Sequence, residues 1–378
     1  MKINNNIEYL IKKAKETNKL DLSYLELKNI PDWVADLKNL TELNLNHNQI
    51  EDIAILSKLK NLTELWLDDN QISDISALYN LNSLKILSID NNQIDNLLPL
   101  SGLKNLIRLG LDNNQIKDIS ALYNLNSLKI LFLNFNQITD ISALSGLNTL
   151  TSLELNTNCL TDIAVLADLK ELEILDLNNN KITDISVLSS LSNLTELYLN
   201  YNQLTNISAL SNLKNLTRLE LDNNQIIDIS ALSDLNTLTE LYLDNNKLTN
   251  ISALSGLKNL TILRIKSNKL ADISALSDLN ALIILGLSNN YLTNISALLN
   301  LNALIILDLD NNKLTDISDL SGLNDLTELY LHNNQLTDVL ALSGLDNLKK
   351  LDIRSNFLTK SDIKCLQPLI NNKCFINH

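Results

Sequence analysis

Leu40–Asn61 reads LTELNLNHNQIEDIAILSKLKN, and Leu62–Ser83 reads LTELWLDDNQISDISALYNLNS in the same frame. Both obey L-x-x-L-x-L-x-x-N-x-(I/L)-x-(D/N)-I-x-x-L-x-x-L-x-x, a unit of 22 residues. The frame recurs from Leu40 to Leu348 without insertion or deletion, so fifteen units begin there. A tract of this kind cannot be read as separate globular domains, because each unit buries its apolar side only against its neighbours. Ordering 22 backbones costs about 1–2 kcal/mol per residue, which one unit's burial does not offset.

The alternation L-x-x-L-x-L predicts a short strand with leucines on one side and variable residues on the other. The ninth residue is asparagine in every unit: Asn48, Asn70, Asn92, Asn114, Asn136, Asn158, Asn180, Asn202, Asn224, Asn246, Asn268, Asn290, Asn312, Asn334 and Asn356. There the chain must turn away and leave backbone groups inside. A short side chain with two donors and an acceptor is suited to pairing them, so a structural asparagine ladder is expected. In the second half, as in NISALSGLKN (Asn250–Asn259), Ile251, Leu254 and Leu257 fall three residues apart, a period suited to a 3₁₀ or short helical turn.

Outside this tract the frame breaks at both ends. Residues 1–39 hold IEYLIKKAKETN (Ile7–Asn18), an amphipathic helix with Ile7, Leu10, Ile11 and Ala14 on one side. An atypical first turn follows, with Leu25 at the asparagine position and Pro31 and Trp33 nearby. Residues 40–360 hold the fifteen repeats, and 361–378 a C-terminal cap. In that cap Ser361 or Asp362 is expected to start a helix and Lys373–Ile376 to add a strand segment. DISALYNLNSLKIL occurs at both Asp74–Leu87 and Asp118–Leu131, which points to copying of a two-repeat block.

Thirty basic against 44 acidic residues give a net charge of −14, a poor match to nucleic acid and a better one to a basic protein surface. Cys159, Cys365 and Cys374 have no metal-ligand spacing. They are read as reduced thiols, with pairing of Cys365 and Cys374 in the cap as the alternative. Lys12, Lys13, Lys15 and Glu16 interrupt any signal-peptide core, and no stretch approaches a membrane span. A cytoplasmic location is therefore expected, and unmodified Asn-x-Ser/Thr triplets with it. His47, His332 and His378 lie in separate contexts, and neither a metalloprotease motif nor a phosphate-binding glycine loop occurs. Asp68–Asn70 lacks the remaining ligands of a calcium loop. No cofactor, no metal and no catalytic residue is expected.

The repeat resembles the leucine-rich-repeat superfamily, specifically the 22-residue class of bacterial internalins and a eukaryotic phosphatase-regulating relative. LTNISALSGL at Leu248–Leu257 is especially similar to internalins, with Asn250 where they carry an acid. The segment from Ile11 also resembles the N-terminal repeat region of bacterial Roco-type GTPases, without their phosphate loop. The expected fold is α/β: a right-handed solenoid forming a curved arc, with a parallel concave β-sheet, short 3₁₀ or helical convex turns, and helical caps. The resemblance implies protein binding through the concave sheet. Internalins carry a secretion signal and a following immunoglobulin-like or wall-anchoring region, features not expected here.

The third, fifth, seventh and eighth residues of each repeat are expected to face that concavity. The fifth carries Trp66, Phe132, Tyr198, Tyr242 and Tyr330, and the eighth adds Phe135 and Tyr201. Aromatics on an exposed sheet are binding anchors, or else simply suit a strand. Among them lie Asp68, Asp69, Asp112, Glu154, Asp176, Glu196, Glu220, Asp222, Glu240 and Asp244, broken by Arg108 and Arg218. Ile262, Ile284 and Ile306 hold the third position of three successive repeats beside Arg264, Lys266 and Gly286, either as a sticky ladder or as strand filler. Ile86, Ile130 and Ile174 alternate with other residues and read as filler. The functional expectation is a monomeric, non-enzymatic scaffold that binds a protein with a basic or amphipathic surface. The alternatives are an exported internalin-like effector or adhesin, and a regulatory subunit of a phosphatase or GTPase.

Overall fold

The computed structural model describes residues 7–378. The chain divides into two compact units, Met1–Ile182 and Thr183–His378. In the first unit, α1 (Ile7–Thr17) leads into β1 (Lys19–Asp21). Seven repeat strands follow: β2 (Glu42–Asn44), β3 (Glu64–Trp66), β4 (Ile86–Ser88), β5 (Arg108–Gly110), β6 (Ile130–Phe132), β7 (Ser152–Glu154) and β8 (Ile174–Asp176). Each pairs with the next in parallel, so that Leu43, Leu65, Leu87, Leu109, Leu131, Leu153 and Leu175 stand side by side. These leucines are fully buried, while the third and fifth residues of each repeat flank them on the other face. Of the residues expected on the buried side of α1, Ala14 is buried and Ile7, Leu10 and Ile11 are half-buried.

The second unit repeats this plan with β9 (Glu196–Tyr198), β10 (Arg218–Glu220), β11 (Glu240–Tyr242), β12 (Ile262–Arg264), β13 (Ile284–Gly286), β14 (Ile306–Asp308), β15 (Glu328–Tyr330) and β16 (Lys350–Asp352), again parallel. The predicted parallel strands and 3₁₀ turns are both present. The template's thirteenth residue explains where each turn begins. Asp118 Oδ1 accepts from Ser120 N (2.8 Å) at the turn Ser120–Leu122, and Asn250 Oδ1 accepts from Ser252 N (2.7 Å) at Ser252–Leu254. The isoleucine and leucines of these turns complete the core beneath the strands.

The first helix of the C-terminal cap starts earlier than the sequence suggested. Thr359, not Ser361 or Asp362, is the N-cap of α2 (Lys360–Lys364). Its hydroxyl accepts from Ser361 N (3.2 Å) and Asp362 N (3.4 Å), and Asp362 Oδ2 accepts from Thr359 N (2.7 Å), a reciprocal capping box. Pro368 marks the start of α3 (Gln367–Asn371), after which β17 (Phe375–Asn377) pairs with β16. Cys159, Cys365 and Cys374 are free thiols, and Cys365 Sγ donates to Asp362 O at 2.8 Å.

Candidate functional site

Two polar ladders set the geometry of the strand face. In the first unit, Asn136 Nδ2 donates to Leu111 O (2.9 Å) of the preceding repeat and to Leu133 O (3.2 Å) of its own, while Oδ1 accepts from Ile116 N (3.0 Å). In the second, Asn290 makes the equivalent bonds to Ile265 O, Leu287 O and Leu270 N, each at 3.0 Å. Fourteen of the template asparagines, Asn48 to Asn334, are buried, and Asn356 next to the C-terminal cap is half-buried.

The second ladder runs along the seventh residue and was not foreseen. Asp68 Oδ1 accepts from Asp90 N (2.9 Å), Asp90 Oδ1 from Asp112 N (2.7 Å), and Asp112 Oδ1 from Asn134 N (2.7 Å). In the second unit Asp222 Oδ1 accepts from Asp244 N (2.6 Å), and Asp244 Oδ1 from Lys266 N (2.6 Å). Asp68, Asp112, Asp222 and Asp244, grouped from sequence with the outward aromatics, therefore hold the main chain of the following repeat. The recurrence of Asp or Asn at this position was a signal that could have revealed it. Burial raises four acids of this ladder, with help from the neighbouring carboxylates: Asp90 and Asp222 to about 7, Asp112 and Asp244 in the same direction. Glu154 is likewise engaged, accepting from Asn134 Nδ2 at 2.7 Å.

The fifth-position aromatics are half-buried rather than fully exposed. In the first unit Arg108 lies over the Phe132 ring at 4.7 Å, and Trp66 lines a recess of about 360 Å³ with Leu10 and Lys13 of α1. In the second unit Arg218 sits between Tyr198 (5.5 Å) and Tyr242 (5.2 Å). It also pairs with Glu220 (2.5 Å) and Glu240 (2.8 Å). Arg264 covers Tyr242 at 5.7 Å and Lys350 covers Tyr330 at 4.8 Å. The hydroxyls of Tyr198, Tyr242 and Tyr330 donate to Glu196, Glu240 and Glu328 on their own strands. A cation and a carboxylate thus fix each of the three tyrosine rings.

Phe135 and Tyr201 are exposed rings, at 54% and 57%. Both stand at the eighth position, where the backbone is left-handed in all fifteen repeats, with φ of 53° at Phe135 and 54° at Tyr201. Asn, Asp, His, Ser or Thr fills the other thirteen, in keeping with the short polar residues this conformation prefers. An exposed aromatic there is conformationally unfavourable and contributes nothing to the core, which sets these two apart from the other thirteen. Tyr24, at the corresponding place in the first turn (φ 57°, 68% exposed), is stacked on His47 at 4.2 Å. Ile262, Ile284 and Ile306 are half-buried and in register on adjacent strands.

Among the described residues, no group of three or more His, Cys, Asp or Glu is placed to hold a metal ion, and no helix is long and apolar enough to cross a membrane.

A parallel strand per 22-residue repeat, an asparagine at each strand's end and a 3₁₀ turn behind it define a leucine-rich-repeat solenoid. Family models described as Leucine Rich repeats (2 copies) match residues 60–102, 104–146, 148–190, 192–234 and 236–278, and one described as Leucine Rich repeat matches 36–56. The chain belongs to the leucine-rich-repeat family. It is similar to a leucine-rich-repeat protein of Leptospira interrogans, with 31% identity over 97% of this chain and 98% of that one and a TM-score of 0.89. An internalin from Listeria monocytogenes is 34% identical over 85% of this chain and 88% of its own, with a TM-score of 0.72. A plant peptide hormone receptor, RGFR1 in complex with RGF2, is 25% identical over 93% of this chain and 62% of its own, with a TM-score of 0.79. No curated protein sequence matches the chain.

Proposed function

We propose that this chain is a monomeric, non-enzymatic scaffold that binds another protein across its strand face, the concave face of the sequence reading. One observation carries the proposal. Large aromatic residues occupy outward positions that the fold does not need, and at Phe135 and Tyr201 they do so on left-handed backbone. Residues in sparsely populated backbone conformations cluster at functional sites. The partner is a protein with a basic or amphipathic surface, since acids outnumber cations around Trp66, Phe132 and Phe135: Asp21, Glu42, Glu64, Asp69, Glu154 and Asp176 against Lys13, Lys19 and Arg108. The plant receptor's complex with RGF2 supports a protein-binding use of such a chain.

The test is capture of a partner identified by crosslinking and mass spectrometry, repeated with Trp66→Ala, Phe132→Ala, Tyr198→Ala, Phe135→Ala and Tyr201→Ala. Phe135→Ala and Tyr201→Ala are expected to lose capture most while unfolding as the parent does. Normal capture by all five would remove the proposal. A second reading, an exported interaction protein, is favoured by the 34% identity to the internalin. Fractionation of the native cells decides between them, since the first reading places the protein in the cytoplasm and the second outside it.

A further inference from the structure

In the second unit, Arg264, Gly286 and Asp308 are register partners at the fifth position of three adjacent strands. Gly286 leaves that row open. A Cβ built there would lie 2.6 Å from Lys266 Cε, because the lysine side chain passes over the glycine to reach Asp308 Oδ2 at 2.6 Å. The result is a recess of about 370 Å³ walled by Ile284, Ile306, Asp308, Asp310 and Tyr330.

Two further features point to what enters it. The third position in this unit is charged at Glu196, Arg218, Glu240, Glu328 and Lys350, and turns apolar only at Ile262, Ile284 and Ile306, alongside the recess. Ile283 and Ile305, 38% and 39% exposed, widen the apolar strip. Of the two cations that line the recess, Lys266 pairs with Asp308 and Arg264 lies over Tyr242, and no salt bridge among the described residues reaches Asp310. Asp310 already accepts from His332 N at 2.6 Å, and burial together with Asp308 raises it to about 6. A cation placed on Asp310 would relieve that crowding.

We propose that the Gly286 recess is an anchor subsite for an extended partner segment, taking an aliphatic side chain into the recess and the neighbouring lysine or arginine onto Asp308 and Asp310. This rests on the strand-face reading above and deepens it by naming the chemistry of the partner.

The experiment titrates protein labelled at the isoleucine δ1 methyls and at the indole N–H with the peptide acetyl-Gly-Ser-Thr-Leu-Lys-Thr-Ser-Gly-amide. The Ile284 and Ile306 methyls are expected to shift and to saturate in the millimolar range. Replacing the peptide leucine by alanine should weaken binding roughly tenfold, and replacing its lysine by glutamate at least as much. Gly286→Val fills the recess and should abolish the shifts. Asp310→Asn keeps the acceptor for His332 N but removes the charge, and should weaken binding several-fold even if the valine variant misfolds. Unmoved Ile284 and Ile306 methyls, or equal binding by Asp310→Asn and by the alanine peptide, overturn the proposal. If the Trp66 indole shifts while these methyls do not, the recess fails as the anchor and the strand-face reading stands.

Discussion

The carboxylate of Asp90 accepts the backbone N–H of Asp112 at 2.7 Å, so a side chain of one repeat holds the main chain of the next. Asp68 and Asp112 lie close enough to oppose its ionisation, and burial opposes it more, lifting Asp90 to about 7. An acid raised by folding costs stability when ionised. The cost is complete above pH 7, declines as the pH falls, and is gone near the unfolded value of about 3.9. Asp90→Asn keeps the acceptor and removes the charge. It should therefore unfold at a higher temperature than the parent at pH 8, with the gap closing towards pH 4, as followed by circular dichroism. A gap independent of pH would refute this account.

The asparagine ladder makes a harsher prediction. Asn136→Leu leaves Leu111 O, Leu133 O and Ile116 N without the partners that Asn136 supplied. Each buried group left unsatisfied costs about 1–3 kcal/mol, so urea unfolding should show a loss of roughly 3 kcal/mol or more. Asn136→Asp retains the acceptor but turns a carboxyl oxygen onto the same carbonyls, so it too should lose stability, and more at pH 8 than at pH 4.

Phe135→Asn should separate stability from binding. Asparagine accepts φ near 53° more readily than phenylalanine, so the variant should gain about 0.5–1 kcal/mol in chemical denaturation. It should also lose partner capture. A variant that gains nothing in stability would mean that the ring makes compensating contacts.

At the C-terminus, Thr359→Ala removes the hydroxyl that caps Ser361 N and Asp362 N. The loss should be about 1 kcal/mol and local. Hydrogen exchange should quicken at Lys360–Lys364 while the amides of β10 to β13 keep their protection.

The sequence carried the repeat frame in full, because leucine spacing alone decides which residues point inward. Strand positions such as Glu64–Trp66 and turn positions such as Ser252–Leu254 could be read directly from it. Which outward residues are free could not. Asp112 and Glu154 look alike on paper as solvated acids, yet both are bonded to Asn134, and only coordinates reveal that hydrogen-bonding choice. The rings of Tyr198 and Tyr242 were expected to be open, but a single arginine from the intervening strand, Arg218, is shared between them. Such pairings cross repeats at 22-residue separations and depend on rotamers, which spacing does not encode.

Each ladder bond described above joins groups within a repeat or between adjacent repeats, and the same donor and acceptor recur one frame later. Excision of Leu84–Asn105 would bring Leu106 directly behind Ser83, and Asn114 would find at Leu67 the carbonyl it now takes from Ile89. Splicing by whole frames is then nearly silent to the hydrogen bonds. The reach of such a molecule can be lengthened or shortened by copying alone, as the twin tracts at Asp74–Leu87 and Asp118–Leu131 record.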